Sequence, residues 1–269
     1  MAQIQDLKSG YVIVTGASSG IGRAMALQLA QQGQPLVLVA RRLDRLEKLS
    51  QQISSMSAAA SALKVKTVMA DLSTEEGVSK VLGAIADLPI TGLINNAGVG
   101  DLKRFDRQDW AVQHNMIRLN VMALNHLTAV MIPRFIQQGF GRVLNVASTA
   151  AFQPGPYFAV YSATKAYVLS LSLALNEELR GTGVTVSVLC PGMTESEFHS
   201  HADTGHSKGL SRIHKASAEQ VAAKGLALMK NGESFAIAGV LNKVMAFSNR
   251  MVPMNMATKI AAKILRPQN

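Results

Sequence analysis

Three side chains in the middle of the chain have the types and the spacing that proton-transfer chemistry needs. Tyr161 lies 13 positions after Ser148, and Lys165 follows Tyr161 by 4 positions. Residues i and i+4 share one face of a helix, so the phenol and the ammonium are predicted to point the same way. Free tyrosine has a pKa of about 10, and a nearby positive charge lowers it. The pattern therefore predicts a tyrosine that is useful near neutral pH.

The elements around these residues decide how much the pattern means, because Tyr-x-x-x-Lys also occurs by chance on amphipathic helices. Ser148 closes a strand-like run at 142–147 and could face the helix across a cleft. The helix that carries Tyr161 is predicted to run to about Arg180, before Gly181 and Gly183 break it.

A glycine-rich turn near the start of the chain predicts a dinucleotide site. The strand-like run 11–15 leads directly into Gly16-Ala-Ser-Ser-Gly20-Ile-Gly22, and a helical run then ends at Gly33. Glycines let the backbone approach a pyrophosphate, and the N-terminus of the following helix offers free N–H groups to the anion.

The end of the second predicted strand, 35–40, indicates which dinucleotide is bound. An NAD-binding protein places Asp or Glu there, against the ribose hydroxyls, whereas this chain has Ala40, Arg41 and Arg42. Guanidinium groups suit a 2′-phosphate, so the pattern favours NADP, through Arg41 first. The alternative is that both arginines only begin the charged helix at 43–49.

Short apolar runs alternate with helical patterns along the rest of the chain. Strands are predicted at 64–70, before Asp71, at 92–95, before Asn96, and at 184–189. A helix is predicted at 74–87, and two more, at about 106–119 and 121–138, on either side of Asn120, because Asn is disfavoured inside a helix. The alternation predicts an α/β fold, a single doubly wound Rossmann domain with a parallel β-sheet flanked by helices, and ligands at its carboxyl edge.

Composition agrees with one soluble domain of 269 residues with 48% apolar content. Residues 1–10 are polar and lack the apolar stretch of a signal peptide, and no run of 18 or more apolar residues predicts a spanning helix. The single cysteine, Cys190, excludes an internal disulfide and suits a reducing compartment. We therefore expect a cytoplasmic location.

The net charge of +10 is concentrated at the end of the chain, where residues 205–269 carry 10 Lys and Arg against 2 Asp and Glu. A basic tail can bind nucleic acid or an anionic membrane, or can simply be a solvated face. Because the basic residues are scattered singly without interleaved aromatic residues, we expect no nucleic-acid partner.

From about Tyr11 to Phe198 the chain resembles the short-chain dehydrogenase/reductase family, in its NADP-preferring reductase branch. The resemblance rests on TGASSGIG (15–22), Asp71, NNAG (95–98), Asn120, Ser148, YSATK (161–165) and PG (191–192). It implies an NADP-dependent oxidoreductase that transfers a hydride between NADP(H) and a carbonyl or alcohol substrate. The competing hypothesis is a non-catalytic NADP(H)-binding or redox-sensing protein on the same scaffold.

The resemblance also assigns roles at the matched positions. Tyr161 would be the general acid or base, and Lys165 would lower its pKa and bind the nicotinamide ribose. Ser148 would orient the substrate oxygen, and Asn120 would support a water that relays protons. Ser19 departs from the pattern, since that position is often basic in NADP-preferring members. The implied cofactor-binding residues are Gly16, Ser18, Ser19, Gly20, Ile21, Gly22, Arg41, Arg42, Asp71, Leu72, Asn96, Ala97, Gly98, Tyr161, Lys165, Pro191, Gly192 and Thr194.

The sequence divides the domain into a cofactor-binding and catalytic core (10–192), a substrate loop (193–216) and a helical, basic C-terminal extension (217–269). An apolar substrate pocket is suggested by four aromatic residues, any of which could instead be core: Phe152, Tyr157, Phe158 and Phe198. His199, His201 and His206 are close in sequence, but no metal site is predicted, because a His-x-His in a polar loop without cysteine is more often solvated.

The C-terminal extension and the helix that carries Tyr161 are the two segments that could contact a membrane or a second subunit. The pattern from Ile237 to Leu265 predicts helix, broken at Pro253, which could be core, a subunit contact or an interfacial helix on an anionic membrane. The helix from Tyr161 presents the small residues Ala163, Ala166 and Ser170 beside large apolar ones. The family commonly pairs this helix across a two-fold axis, so we expect a homodimer or homotetramer.

Overall fold

The computed structural model describes residues 7–56, 63–195, 197–198, 202, 215–239, 246 and 252–267. Seven parallel strands form one sheet in the order β3-β2-β1-β4-β5-β6-β7. The strands are β1 (Tyr11–Thr15), β2 (Leu36–Ala40), β3 (Val65–Met69), β4 (Ile90–Asn95), β5 (Gly141–Val146), β6 (Val184–Cys190) and β7 (Phe235–Ile237). This is the predicted doubly wound Rossmann fold.

Helices cover both faces of the sheet. They are α1 (Gly20–Gln31), α2 (Leu43–Ser55), α3 (Glu75–Ala84), α4 (Trp110–Ile117), α5 (Leu124–Gln138), α6 (Ala159–Glu178), α7 (Ala218–Asn231) and α8 (Met254–Leu265). Short 3-10 helices lie at Leu7–Ser9, Phe105–Arg107 and Thr149–Phe152. The element boundaries differ from the sequence predictions mostly by one to three residues at each end.

The strands alternate between two cores, as period-2 side-chain geometry requires. On β1, Val12 and Val14 face a core built with α1, α2 and α7, whereas Ile13 faces a core built with α3, α5 and the end of α6. The strand order reverses at β1: β2 and β3 lie on one side of it, and β4 to β7 lie on the other. In open α/β sheets the ligand crevice lies at this point, outside the carboxyl ends of the strands.

The predicted break at Asn120 is wrong. The segment Arg118–Ala123 is π-helical and joins α4 to α5 in one helix from Trp110 to Gln138. Asn120 is tolerated there because it is only 1% exposed and its side-chain amide has hydrogen-bond partners inside the protein. The single π turn is a feature that often marks functional sites.

This joined helix of 29 residues is long and apolar enough, by length and composition, to cross a membrane, although 44% of its most apolar window is buried inside the protein. Leu127, Met131 and Phe135 pack against the sheet. An apolar core helix of a globular domain meets the same criteria, so the finding is weak evidence for a membrane span.

The residues after 216 add elements to the same domain. Helix α7 packs on α1, and β7 pairs in parallel with β6 through Cys190 and Ile237. The predicted helix is therefore wrong at Ile237, where pairing to the sheet edge overrides the helical spacing. Pro253 is the N-cap of α8, where its missing N–H costs little. Val240, Leu241, Val244 and Met245 of the predicted helix lie outside the described residues.

Candidate active site

A cavity of about 930 Å³ follows the carboxyl edge of the sheet from the end of β2 to helix α8. All the predicted catalytic and cofactor-binding residues line this cavity except Gly22 and Asn120, which lie behind its wall. The topology thus brings together groups that are up to 178 positions apart in sequence, from Gly16 to Thr194.

The glycine-rich turn after β1 has the shape that a pyrophosphate needs. Gly16 and Gly20 have φ values of 65° and 52°, which side-chain-bearing residues rarely adopt. A Cβ at Gly22 would lie 2.5 Å from the carbonyl oxygen of Gly16, so α1 can approach the turn this closely only through glycine. Ser19, at the N-cap of α1, makes no side-chain capping bond within the described part of the chain. Gly20 and Ile21, in the first turn of α1, line the cavity, and the unpaired N–H groups of a helix N-terminus suit an anion.

Thr15 and Asn96 fix this turn to the end of β4. The hydroxyl of Thr15 accepts hydrogen bonds from the N–H groups of Asn96 (3.0 Å) and Ala97 (3.1 Å) and donates to the carbonyl of Ile94 (3.1 Å). The Asn96 amide donates to the carbonyls of Thr15 (3.0 Å) and Gly16 (3.3 Å). Thr15 was not among the predicted site residues, although it begins the glycine motif.

Arg41 and Arg42, the residues predicted to bind a 2′-phosphate, both line the end of the cavity beyond β2. Arg41 is exposed, whereas Arg42 is half-buried and donates to the hydroxyl of Ser18 at 3.4 Å. Arg42 also forms an ion pair with Glu197, a residue that the sequence did not single out. Asp71 lies at the same end, where its carboxylate accepts from the N–H and hydroxyl of Ser73 (3.0 and 2.7 Å).

Lys165 is held in the floor of the cavity. Its ammonium donates to the carbonyl oxygen of Val146 at 2.8 Å, at the end of β5, and the residue as a whole is only 5% exposed. The ammonium lies 5.7 Å from the ring centroid of Tyr161. Burial lowers the pKa of Lys165 to about 8, so the charged form still predominates at neutral pH.

The Tyr161 hydroxyl forms a hydrogen bond with the hydroxyl of Ser148, which also accepts from the N–H of Ala150 at 3.1 Å. Burial raises the pKa of Tyr161 to about 12, and the contact with Ser148 lowers it only in part. The expectation that the pKa of Tyr161 lies below its usual value is wrong for this structure, because burial disfavours the charged phenolate. The phenol is protonated at neutral pH, which is the form that donates a proton.

The side chain of Asn120 forms hydrogen bonds with two segments next to the site. Its amide accepts from the N–H of Val99 (2.9 Å), donates to the carbonyl of Val99 (2.9 Å) and donates to the hydroxyl of Thr164 (3.1 Å). Thr164, which sequence reasoning missed, donates in turn to the carbonyl of Tyr161 at 2.7 Å. A Cβ at Gly98 would lie 3.2 Å from Asn120 and 3.4 Å from Lys165. The amide thus ties the loop after β4 to the helix of Tyr161.

Comparison with known proteins settles the family. Residues 10–207 match the model of the short chain dehydrogenase family. The chain belongs to that family. The solved structure of a short-chain dehydrogenase from Sphingobium yanoikuyae in complex with NADPH has a TM-score of 0.79 and 31% identity, over 90% of this chain and 93% of that chain.

Two curated relatives show a similar level of likeness but carry different substrate names. A sulfoacetaldehyde reductase of Chromohalobacter salexigens is 37% identical over 194 residues, which are 70% of this chain and 73% of that protein. Very-long-chain 3-oxoacyl-CoA reductase-B of Danio rerio is 32% identical over 192 residues, 67% of this chain and 58% of that protein. Membership in the family makes this chain an oxidoreductase.

In this short-chain dehydrogenase the wall above Tyr161 is aromatic and aliphatic. The ring of Phe158 stacks on Tyr161 at 4.3 Å between centroids, and the ring of Phe198 lies 5.4 Å away. Ile264 and Leu265 of α8 complete the wall, and nothing in the sequence motifs pointed to them. Phe152 instead packs edge-on against Phe235, away from the cavity. Two of the four aromatic residues predicted for the pocket therefore line it.

Tyr157 joins this wall to the last helix. Its φ of 67° is rare for a residue with a side chain, and its carbonyl accepts from the N–H of Lys103 at 2.8 Å. Its hydroxyl accepts from the Nε of Arg266 at 3.2 Å. These contacts anchor the end of α8 beside the loop between Ser148 and Tyr161.

Within the described ranges, no group of three or more His, Cys, Asp or Glu side chains could hold a metal ion. The three neighbouring residues His199, His201 and His206 lie outside those ranges.

Proposed function

We propose that this oxidoreductase interconverts a carbonyl and an alcohol on an apolar substrate with NADP(H). The observation that carries the proposal is the Tyr161 hydroxyl, protonated and hydrogen-bonded to Ser148, at the apolar end of a cavity whose other end carries two arginines. One cavity thus holds a proton donor, an apolar wall and a cationic end.

The residues at the cofactor end fit a phosphorylated dinucleotide. The glycine turn and the N-terminus of α1 suit the pyrophosphate, Asp71 and Leu72 suit the adenine, and Asn96 to Gly98 suit the adenosine side. Arg41 and Arg42 line the cavity beyond β2, and their guanidinium groups suit a 2′-phosphate; a structural relative carries NADPH. Pro191, Gly192 and Thr194 line the cavity towards the nicotinamide end. NADP(H), when bound, supplies or accepts the hydride.

The residues around Tyr161 are suited to transfer a proton to the substrate oxygen. The hydroxyls of Ser148 and Tyr161 converge, so a substrate oxygen can accept a hydrogen bond from each of them. Tyr161 holds the proton that the oxygen receives during reduction, and the buried ammonium of Lys165 stabilises the phenolate that remains. The described contacts use the side-chain amide of Asn120 on protein groups, so we assign the proposed water relay to its main chain in the π turn.

An apolar substrate agrees with the cavity wall better than a small anion does. Of the described residues that line the cavity, the cations are Arg41 and Arg42 at the cofactor end and Lys165 beneath Tyr161. A sulfonate next to Phe158 and Phe198 would therefore be desolvated without a matching guanidinium. We favour bulky ketones or ketoacyl compounds over sulfonated aldehydes.

The alternative is a non-catalytic NADP(H)-binding or redox-sensing protein. Such a protein needs the cofactor end of the cavity and Lys165, but it does not need the hydrogen bond between the hydroxyls of Ser148 and Tyr161. This observation favours the enzyme.

The test is a panel of carbonyl compounds, followed by the absorbance of NADPH at constant enzyme concentration. The panel contains ketoacyl thioesters, steroids, bulky ketones, small aldehydes and sulfoacetaldehyde. We expect turnover of bulky apolar ketones and little of sulfoacetaldehyde. Tight NADPH binding without turnover of any compound would support the non-catalytic alternative.

Cofactor choice is tested separately through Arg41. A charge-assisted hydrogen bond to the 2′-phosphate is worth about 1.5–3 kcal/mol, so Arg41 should favour NADPH over NADH by roughly ten- to a hundredfold. Arg41→Ala should remove most of this preference and leave NADH unaffected. Ala40→Asp should go further, since its carboxylate binds ribose hydroxyls and repels the phosphate. The measurement is kcat/KM for both cofactors, and an unchanged ratio in Arg41→Ala contradicts the assignment.

We further propose a cytoplasmic homodimer or homotetramer. Ala163, Ala166 and Ser170 are exposed on α6, beside Tyr167 and Leu173, each 39% exposed. On the joined helix that precedes it, Met122, Val130 and Ile136 are also exposed. Apolar surface of this kind on neighbouring helices suits an isologous contact.

Helix α8 exposes Met254, Met256 and Ile260 near Lys259 and Lys263, so we also propose peripheral contact with an anionic membrane.

A further inference from the structure

A carboxylate from the loop after β6 lies on the arginines at the start of α2. Glu197 forms ion pairs with Arg42 (Oε2 to Nη2, 3.1 Å) and with Arg45 (Oε1 to Nη1, 2.5 Å). Each of the two carboxylate oxygens therefore contacts a different guanidinium group. The three side chains are 36–40% exposed, so the cluster lies at the mouth of the cavity and not in the core.

This arrangement resembles the way in which arginines hold a phosphate. Two guanidinium groups converge on one anion with a pair of oxygens, which is the geometry that Arg provides for carboxylates and phosphates alike. Hydrogen bonds from Arg45 and Arg42 lower the pKa of Glu197, so its carboxylate is charged at neutral pH. The same cations could not give their full hydrogen bonding to a phosphate and to this carboxylate at once.

The cluster also lies next to the proposed phosphate site. Arg42 donates to Ser18 of the glycine-rich turn, and Glu197 lines the same cavity as Arg41. A second cavity of about 480 Å³ adjoins Ser18 and Ser19 and is lined by Arg45, Glu195 and Glu197. The anion that Glu197 provides is therefore beside the position that the 2′-phosphate is expected to take.

We propose that Glu197 determines cofactor specificity by competing with the 2′-phosphate of NADP(H) for Arg42 and Arg45. The inference rests on the proposed NADP(H) dependence and extends it to two residues, Arg45 and Glu197, that no motif identifies. The phosphate displaces the carboxylate, so the affinity for NADP(H) is lower than the arginines alone would provide. NADH, which lacks the phosphate, leaves the ion pairs in place.

The test removes the charge of Glu197 and measures binding of four probes by calorimetry. Two probes, NADPH and 2′,5′-ADP, carry the 2′-phosphate, and two, NADH and 5′-AMP, lack it. Glu197→Gln should tighten the first two by roughly three- to thirtyfold, because two half-exposed ion pairs of about 0.3–1 kcal/mol each no longer compete. The affinities for NADH and 5′-AMP should stay the same.

Glu195→Gln is the matched control. It removes the same charge two positions earlier, from a residue that lines the adjoining cavity but is not the carboxylate that bridges the arginines. Equal tightening in both variants would show a general field effect and overturn the competition. Weaker or unchanged NADPH binding in Glu197→Gln would also overturn it.

The outcomes separate this inference from the proposed function. If the wild type binds NADPH more tightly than NADH but Glu197→Gln changes nothing, only the role of Glu197 fails. If the wild type binds NADH as well as NADPH and does not bind 2′,5′-ADP, the proposed NADP(H) dependence itself fails.

Discussion

Replacing Lys165 by methionine should inactivate the enzyme while removing a free-energy cost from the fold. Methionine is similar in length but uncharged, so the variant keeps most of the packing in the floor of the cavity. Lys165 is 5% exposed, and the hydrogen bond from its ammonium to the carbonyl of Val146 compensates only in part for lost hydration. We expect loss of turnover together with a change in how stability depends on pH.

The size of the effect follows from the pKa. Burial lowers the pKa of Lys165 from 10.5 to about 8, so the unfolded chain binds more protons between these values and stability rises with pH there. At about 1.4 kcal/mol per unit, burial of the charge costs about 3 kcal/mol at pH 7. About 2 kcal/mol of that cost disappears by about pH 9.5.

The variant also leaves the Val146 carbonyl without its donor, at a cost of about 1–3 kcal/mol that does not depend on pH. At pH 7, Lys165→Met should therefore be as stable as the wild type, or more stable by up to about 2 kcal/mol. Between pH 7 and about 9.5 the wild type should gain about 2 kcal/mol relative to the variant.

Urea denaturation followed by circular dichroism at the two pH values measures this difference. Lys103→Met, at an exposed lysine, is the control and should show no such change relative to the wild type. Parallel pH profiles for the wild type and Lys165→Met would refute the argument that the ammonium is buried at a cost.

Three further predictions address the proton donor, the cofactor turn and the assembly. Tyr161→Phe keeps the ring on Phe158 but removes the hydroxyl, so turnover should fall by about 10²–10⁴-fold with NADPH binding retained; near-normal turnover would exclude Tyr161 as the acid. Gly22→Ala places a Cβ 2.5 Å from the Gly16 carbonyl and should destabilise the fold by about 1–3 kcal/mol and weaken NADPH binding. The exposed helix position Gly83→Ala, which has nothing within 4 Å, should cost nothing by the same thermal and binding measurements. Light scattering at micromolar concentration should give a homodimer or homotetramer, and a monomer would contradict the proposed contact.

Local patterns in the sequence predicted the fold and the motif residues that line the cavity, but less than half of all the lining residues. The glycine turn, the strand ends and the Tyr161–Lys165 spacing each express a short-range rule, and parallel strands then align the motifs at one edge. The rules failed where distant contacts override local preference. Asn120 stays in a helix because Val99 and Thr164 satisfy its amide, and Ile237 pairs with the sheet edge.

The pKa of Tyr161 and the ion pairs of Glu197 could not be predicted from the sequence either. The i, i+4 spacing predicted that Lys165 lowers the pKa of Tyr161, but burial, which raises it, depends on packing by Phe158 and Phe198. The pairing of Glu197 with Arg42 joins residues 155 positions apart, and Arg45 is equally remote from the loop in sequence. No spacing rule connects such groups before the fold is known.

Helix α8 supplies Ile264 and Leu265 to the cavity wall almost 100 residues after Lys165, the last of the predicted catalytic residues. Part of the proposed substrate wall is therefore encoded far from the groups that transfer the proton. Mutations near the end of the chain can alter which substrates fit without disturbing the groups that move the proton. A laboratory library limited to Ile264 and Leu265 would therefore vary this part of the wall and leave Ser148, Tyr161 and Lys165 unchanged.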